Sequence, residues 1–142
     1  MNATRTLALL AACLAAVPAL ASSAEKVKAS VSAGKAEGGK QAVTITLDID
    51  KEFHLYANPV GNKDLEENQV TVTFTSGKAK AGAEVKYPAG ELKKDKVVGD
   101  YRIYKGKVVI TAMVERAKGS PLEAAIAVQA CDKSKCLAPD TI

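Results

Sequence analysis

Two cysteines near the end of the sequence, Cys131 and Cys136, have the residue type and the spacing for thiol–disulfide chemistry. An alternating strand pattern runs up to Cys131, and four polar residues (132–135) separate it from Cys136, which is typical of a hairpin or tight loop. Opposed residues of an antiparallel pair have Cα atoms about 4.5–5.5 Å apart, and a disulfide spans about 4.4–6.8 Å. A bridge between the two cysteines is therefore sterically reasonable.

Such a bridge has two interpretations, a structural staple and a redox-active pair. Closing a ring of about six residues gives only about 2 kcal/mol of stability, whereas a much longer loop gives nearer 5 kcal/mol. Lys133 and Lys135 favour the thiolate form, and Asp132 opposes it. Spacing alone leaves the two interpretations open.

A metal site is the third interpretation of the cysteines. Zinc takes four protein ligands, or three and a water molecule, and the chain has a single histidine, His54. Copper has equally little support, because Met113 lies within an alternating segment where packing in the core is expected. The sequence therefore predicts no metal and no cofactor.

The N-terminus has the pattern of a secretory leader. Arg5 precedes an uncharged apolar run over residues 7–20, and small residues suit cleavage after Ala21 or Ala24. The run is too short for a comfortable membrane-spanning helix, which needs about 20 residues. We predict a signal peptide over residues 1–24 and a single exported domain over residues 25–142, without stable membrane insertion.

Export also decides how many cysteines remain. Residues 10–13 resemble a lipobox, so lipid attachment at Cys13 is an alternative to simple cleavage. Removal of the leader leaves Cys131 and Cys136 in a compartment that permits disulfides.

The net charge of +4 is spread along the chain with both signs interspersed, which argues against a nucleic-acid partner.

The rest of the chain repeats with a period of two, the pattern of strands with one buried face. The clearest segments are residues 43–49, 70–74, 108–114 and 122–130, and weaker ones are residues 27–31, 84–87 and 101–104. Glycine-rich and proline-rich turns separate them, and no helical period extends over eleven residues. We predict an all-β, immunoglobulin-like antiparallel sandwich.

Three motifs in this order resemble one family. Residues 129–139 (QACDKSKCLAP) resemble the cysteine segment of the N-terminal domain of the thiol:disulfide interchange protein DsbD. Residues 53–61 (FHLYANPVG) and 87–90 (YPAG) fit the same family, and the resemblance covers residues 40–139. The cysteine loop is one residue shorter here than in the best-known members.

The resemblance implies a periplasmic domain that passes reducing equivalents to thioredoxin-like redox proteins, such as disulfide isomerases or cytochrome c maturation factors. Cys136 would form the mixed disulfide with the partner, Cys131 would resolve it, and a cap loop would cover both. Phe53, His54 and Tyr56 are the candidates for that loop. The sequence lacks the membrane-embedded and thioredoxin-like domains of the full-length proteins.

We therefore expect a free-standing, monomeric electron-transfer component with reductase-like chemistry. The alternative is an exported β-sandwich that binds or assembles with other proteins and has a purely structural disulfide.

Overall fold

The computed structural model describes residues 21–142. The apolar run of the leader and the lipobox cysteine Cys13 lie outside the described residues. Within residues 21–142, the structure contains no helix with the length and apolar character needed to cross a membrane.

The described chain is built mainly from short and medium-length strands. Two 3-10 helices cover Ser23–Lys26 and Lys63–Asn68. The strands are β1 (Val27–Glu37), β2 (Lys40–Ile49), β3 (His54–Tyr56), β4 (Thr71–Ser76), β5 (Ala79–Ala81), β6 (Ala83–Lys86), β7 (Glu91–Lys93), β8 (Tyr101–Tyr104), β9 (Lys107–Glu115), β10 (Leu122–Val128), β11 (Ala130–Cys131) and β12 (Asp140–Thr141).

These strands form three four-stranded sheets with antiparallel pairing throughout. The long sheet has the order β1-β2-β9-β6, the facing sheet β12-β10-β4-β5, and the site sheet β11-β3-β8-β7. The prediction of an all-β antiparallel sandwich is confirmed. Because β11 follows β10 after a single residue, the facing sheet leads directly into the site sheet.

The core lies between the long sheet and the other two sheets. Along β9 every second residue is buried, and Ile110 opposes Ile45 of β2 with both side chains fully buried. Phe74 of the facing sheet and Leu55 of the site sheet join the same apolar cluster. The period of two has the expected cause in β2 and β9, where one face of each strand is buried, whereas β1 is exposed after Val27.

The structure also contains strands that alternation did not reveal. The predicted strand over residues 101–104 has the same bounds as β8, and the first strand extends to Glu37 rather than ending at Val31. The strands β3, β5, β7 and β12 have two or three residues each, too few for a period to be visible.

Ser22 and Ser23, which precede the predicted domain start at residue 25, make contacts with the described domain. Ser23 is fully buried, and its hydroxyl donates to the carbonyl of Ala138 at 2.6 Å and accepts the N–H of Ala130 at 2.9 Å. The hydroxyl of Ser22 donates to the carboxylate of Asp140. Ser22 and Ser23 therefore bond to residues on both sides of the cysteine loop: Ala130 before it, and Ala138 and Asp140 after it.

Candidate functional site

The two cysteines lie at the end of β11, at the edge of the site sheet. Cys131 pairs with His54 of β3 across the sheet. The sulfur atoms are 2.01 Å apart, and the Cα atoms are 3.9 Å apart. Cys131 is 2% exposed, whereas Cys136 is classed as exposed. An attacking thiolate can therefore reach the sulfur of Cys136 much more easily than that of Cys131.

Asp132 shapes the loop between the cysteines. One of its carboxylate oxygens accepts from the N–H and hydroxyl of Ser134, at 2.7 and 2.9 Å, and from the N–H of Lys135 at 2.8 Å. These bonds lower the pKa of Asp132, with the Ser134 N–H as the largest cause. The backbone N–H of Asp132 also donates to the carbonyl of Lys135 at 2.9 Å. The turn is thus held by its own polar groups.

Side chains behind the loop hold its two sides together. Gln129 donates to the carbonyl of Leu137 at 3.2 Å and accepts from the amide of Asn68 at 2.6 Å. The N–H of Leu137 donates to the carbonyl of Ala130 at 2.8 Å. Together with Ser23, these bonds hold the backbone around the cysteines in addition to the disulfide.

Tyr56 places a hydroxyl beside the exposed sulfur. Its oxygen is 3.8 Å from Sγ of Cys136, and its ring packs against Tyr101 with centroids 5.7 Å apart. Burial raises the pKa of Tyr56, and Tyr101 raises it further. Tyr56 therefore stays protonated at neutral pH and can donate a hydrogen bond to a Cys136 thiolate.

His54 lies on the same face of the site sheet, opposite Cys131. Its ring meets that of Tyr56 edge-on, with centroids 6.2 Å apart. Burial lowers the pKa of His54, Lys105 and Lys93 lower it further, and Asp132 opposes them. The imidazole is therefore neutral at pH 7 and can accept or donate a proton through its ring nitrogens.

The three candidate cap residues do not form a loop. His54 and Tyr56 belong to strand β3, where pairing with β11 and β8 fixes them beside the cysteines. Phe53 packs against the hydrophobic core, and the ammonium of Lys26 lies 5.3 Å from the centre of its ring. Two of the three residues therefore lie at the site as strand residues, and Phe53 serves packing.

The second and third motifs of the sequence meet beneath the site. The hydroxyl of Tyr104 is 2.8 Å from the carbonyl of Pro88 and 3.1 Å from that of Asn58, and it accepts the Asn58 N–H at 3.3 Å. A Cβ atom added to Gly90 would lie 2.4 Å from Cβ of Ala57, so only glycine permits this approach. The motifs over residues 53–61 and 87–90 thus pack directly on one another.

Sequence reasoning missed Ser23 and Asn68 as supports of the loop. Their partners are distant along the chain, and no local pattern marks them. The pattern Asp132-x-Ser134 is a turn signal that was available. Within residues 21–142, no group of three or more His, Cys, Asp or Glu side chains is arranged to hold a metal ion.

Comparison with solved structures supports the fold. The reduced N-terminal domain of Neisseria meningitidis DsbD has a TM-score of 0.50 at 16% identity, covering 70% of this chain and 71% of that one. The same domain in complex with the PilB N-terminal domain gives 0.53 at 16% identity, with 71% and 70% covered. The immunoglobulin-like type of the predicted sandwich is confirmed by this likeness.

The N-terminal periplasmic domain of ScsB from Proteus mirabilis gives a TM-score of 0.61 at 13% identity. The match covers 82% of this chain and 45% of that one, so this chain spans less than half of the ScsB domain.

A family model matches the amino-acid sequence. No curated protein matches the chain. The model described as "Thiol:disulfide interchange protein DsbD, N-terminal" matches residues 21–142, which is the whole of the described structure. With the cysteine pair, the supporting strands and the sandwich in place, the chain belongs to the family of DsbD N-terminal domains.

Proposed function

We propose that this domain exchanges electrons with periplasmic redox proteins through a reversible disulfide between Cys131 and Cys136. The observation that carries the proposal is the unequal burial of the two cysteines. Cys136 is exposed beside Tyr56, while Cys131 is 2% exposed in the sheet. Exchange needs one sulfur that a partner can reach and a second one held close enough to resolve the intermediate.

The exchange proceeds in two substitutions at sulfur. A partner thiolate attacks Sγ of Cys136, the bond between the cysteines breaks, and Cys131 leaves as a thiolate that takes up a proton. A second partner thiolate then attacks the partner sulfur of the mixed disulfide, and Cys136 leaves as a thiolate. The partner dithiol becomes a disulfide, and the two electrons reside in the Cys131/Cys136 dithiol. The reverse sequence reduces a partner.

The residues around the cysteines support both the reduction and the oxidation of the pair. A hydrogen bond from the Tyr56 hydroxyl stabilises a Cys136 thiolate, which makes that cysteine a better leaving group. The loop backbone is fixed by Ser23, Gln129 and Asp132, so it need not rearrange when the sulfurs separate. These hydrogen bonds support a loop that keeps its backbone conformation when the disulfide opens.

The partners we propose are thioredoxin-like redox proteins of the periplasm. The N. meningitidis DsbD domain has been solved in a complex with the PilB N-terminal domain, so a related domain docks with another protein. Export through a leader over residues 1–24, a free-standing monomeric state and a role in cytochrome c maturation belong to the same proposal.

The reduction potential of the cysteine couple tests the proposal directly. We expect a value between about −120 and about −270 mV in glutathione or dithiothreitol buffers, the range of exchange proteins. We also expect reduction to lower the melting temperature by about 10 °C or less, because a ring of about six residues contributes only about 2 kcal/mol. A potential well below about −300 mV, with clear loss of stability on reduction, would make the disulfide structural.

A pair of single substitutions tests the roles of the two sulfurs. The variant Cys131→Ser keeps the exposed thiol and should form a stable mixed disulfide with a thioredoxin-like protein that retains a single active-site cysteine, supplied as its mixed disulfide with 5-thio-2-nitrobenzoate, which is the leaving group. The matched variant Cys136→Ser keeps only the buried thiol and should form little. Non-reducing gels and mass spectrometry measure the yield, and equal yields would contradict the assignment of Cys136 as the attacked sulfur.

A further inference from the structure

The loop that the disulfide closes carries two lysines and one acid, Asp132. Lys133 and Lys135 are both exposed. The ion pairs within residues 21–142 are Lys86–Glu84 and Lys105–Glu91, and neither includes a loop lysine. Both ammonium groups are therefore available to a molecule that approaches Cys136.

The acid of the same loop is directed toward the loop itself. The carboxylate oxygen of Asp132 that accepts from Ser134 and Lys135 is committed to three hydrogen bonds. That oxygen serves the turn, while the charge of the carboxylate offsets part of the lysine charge. Two ammonium groups against one carboxylate leave residues 132–135 with a net positive charge.

Two further lysines act on the same face from the neighbouring strands. Lys93 lies in β7, Lys105 directly follows β8, and both charges lower the pKa of His54. The Nζ of Lys105 is 3.7 Å from Oε1 of Glu91, with side chains 51% and 62% exposed. Solvent weakens such a pair, so Lys105 is neutralised in part only.

The loop between β7 and β8 has equal numbers of positive and negative side chains, so it does not change the excess of positive charge. Its lysines, Lys94 and Lys96, are matched in number by Asp95 and Asp100. One carboxylate oxygen of Asp95 accepts the N–H groups of Val97 and Val98, at 2.8 and 3.1 Å, so this acid also serves its own turn. Among the charged residues placed here beside the cysteines and His54, the four lysines Lys93, Lys105, Lys133 and Lys135 therefore outnumber the two acids Asp132 and Glu91.

We propose that the cluster formed by Lys93, Lys105, Lys133 and Lys135 selects redox partners whose reactive disulfide is surrounded by acidic groups. The inference rests on the proposed function, because it names the chemistry of the partner for the same cysteine pair. Charges around a reaction centre raise the rate of encounter with molecules of opposite charge, by about ten-fold or more at low salt.

Small disulfides of different charge provide the test. The reduced protein is mixed with anionic glutathione disulfide, neutral hydroxyethyl disulfide or cationic cystamine, and the rate of reduction is measured by stopped flow. Each rate is divided by the rate of the same probe with dithiothreitol, which removes the intrinsic reactivity of the probe. We expect glutathione disulfide to be favoured over cystamine by about ten-fold at low salt. At about 1 M salt, where the Debye length is about 3 Å, the preference should largely disappear.

Substitution separates the effect of charge on encounter from its effect on the thiol. The double variant Lys133→Gln/Lys135→Gln should lose most of the preference. Changes in thiolate fraction affect all three probes alike, so the ratio of anionic to cationic rates is insensitive to them.

The matched control is Lys78→Gln/Lys118→Gln, at turns on the far end of β4 and β10. A seven-residue strand puts them about 20 Å from the cysteines, beyond the Debye length of about 10 Å at 0.1 M salt.

Each outcome has one meaning. A preference for the anionic probe that falls in the loop variant, and not in the control variant, supports the proposal. Equal normalised rates for the three probes, or a preference that survives loss of the loop lysines, would overturn it while leaving exchange intact. Failure of the reduced protein to reduce even the neutral probe would overturn the proposed function itself.

Discussion

The long sheet and the site sheet of this domain are held together in different ways. The three longest strands of the long sheet have nine to eleven residues, and its inner face is a continuous apolar surface around Ile45 and Ile110. The strands of the site sheet have two to four residues. Side-chain hydrogen bonds from Tyr104, Gln129 and Ser23 hold the site sheet and its loop in place.

The difference shows how a small domain can combine stability with reactivity. Long ladders and apolar burial stabilise one half of the molecule. Short strands leave the other half with exposed edges and loops, where a sulfur atom and its polar neighbours can meet another protein. We expect substitutions in the two sheets to have separable consequences, which the following experiments test in order of decreasing effect.

The largest effect should come from the core of the long sheet. Ile110→Ala removes a fully buried side chain and should lower the free energy of unfolding by about 2–5 kcal/mol. The control Val109→Ala changes a side chain that is 46% exposed on the same strand and should cost about 1 kcal/mol or less. Urea denaturation measures both. Reduction of hydroxyethyl disulfide by folded Ile110→Ala should keep the wild-type rate, and a changed rate would show that the two sheets are not separable.

A smaller effect should come from the hydrogen bonds of the site sheet. Tyr104→Phe leaves the carbonyl of Pro88 without its donor and should cost about 1–3 kcal/mol. Tyr101→Phe, on the same strand, removes a hydroxyl from a ring that packs on Tyr56, and should cost about 0.5 kcal/mol or less. Hydrogen exchange should become faster around Asn58 in the first variant only. Equal losses in the two variants would mean that packing, as in the long sheet, holds the site sheet.

The smallest effect should be the pH dependence that His54 confers. Its pKa in the folded state lies below the usual value of about 6.5, chiefly because of burial and then Lys105 and Lys93. The unfolded chain therefore binds the proton more readily. The stability that neutral His54 contributes is present above about pH 6.5 and is lost as the pH falls toward the lowered folded-state pKa.

His54→Gln should make the melting temperature less dependent on pH between about 7.5 and about 5. The pKa values of Asp95, Asp132 and Asp140 are also lowered, so the contributions of these carboxylates are lost only below about pH 4, outside this window. An unchanged slope in the variant would show that His54 is not the group responsible.

The sequence predicted the parts of the fold that follow a local rule. Alternation over nine residues marks β9, because its buried face follows the pleat. The strand β7 could not be found in this way, since Glu91–Lys93 is exposed throughout and becomes a strand through its pairing with β8. The strand β3 has only three residues, too few for a period of two to be visible, so the sequence places His54 and Tyr56 with the candidate loop residues.

The site was predictable to a similar extent. The spacing of Cys131 and Cys136 predicted that the two residues lie close together, because only four residues separate them and a single turn can bring them into contact. The hydrogen bonds of Ser23 connect residues that are 107 and 115 positions apart in the chain, and only the complete fold brings them together. Sequence patterns therefore predicted the two bonded sulfurs and missed most of the groups that hold the backbone around them.

The contacts of Ser23 limit where a leader peptide can be removed. A peptidase that cuts after Ala24 would take away the hydroxyl that bonds Ala130 and Ala138, and the buried N–H of Ala130 would lose its partner. A cut after Ala21 leaves Ser22 and Ser23 on the mature chain, with all of these bonds intact. If the predicted leader is removed, cleavage after Ala21 would give a mature protein whose new N-terminus helps to hold the cysteine loop.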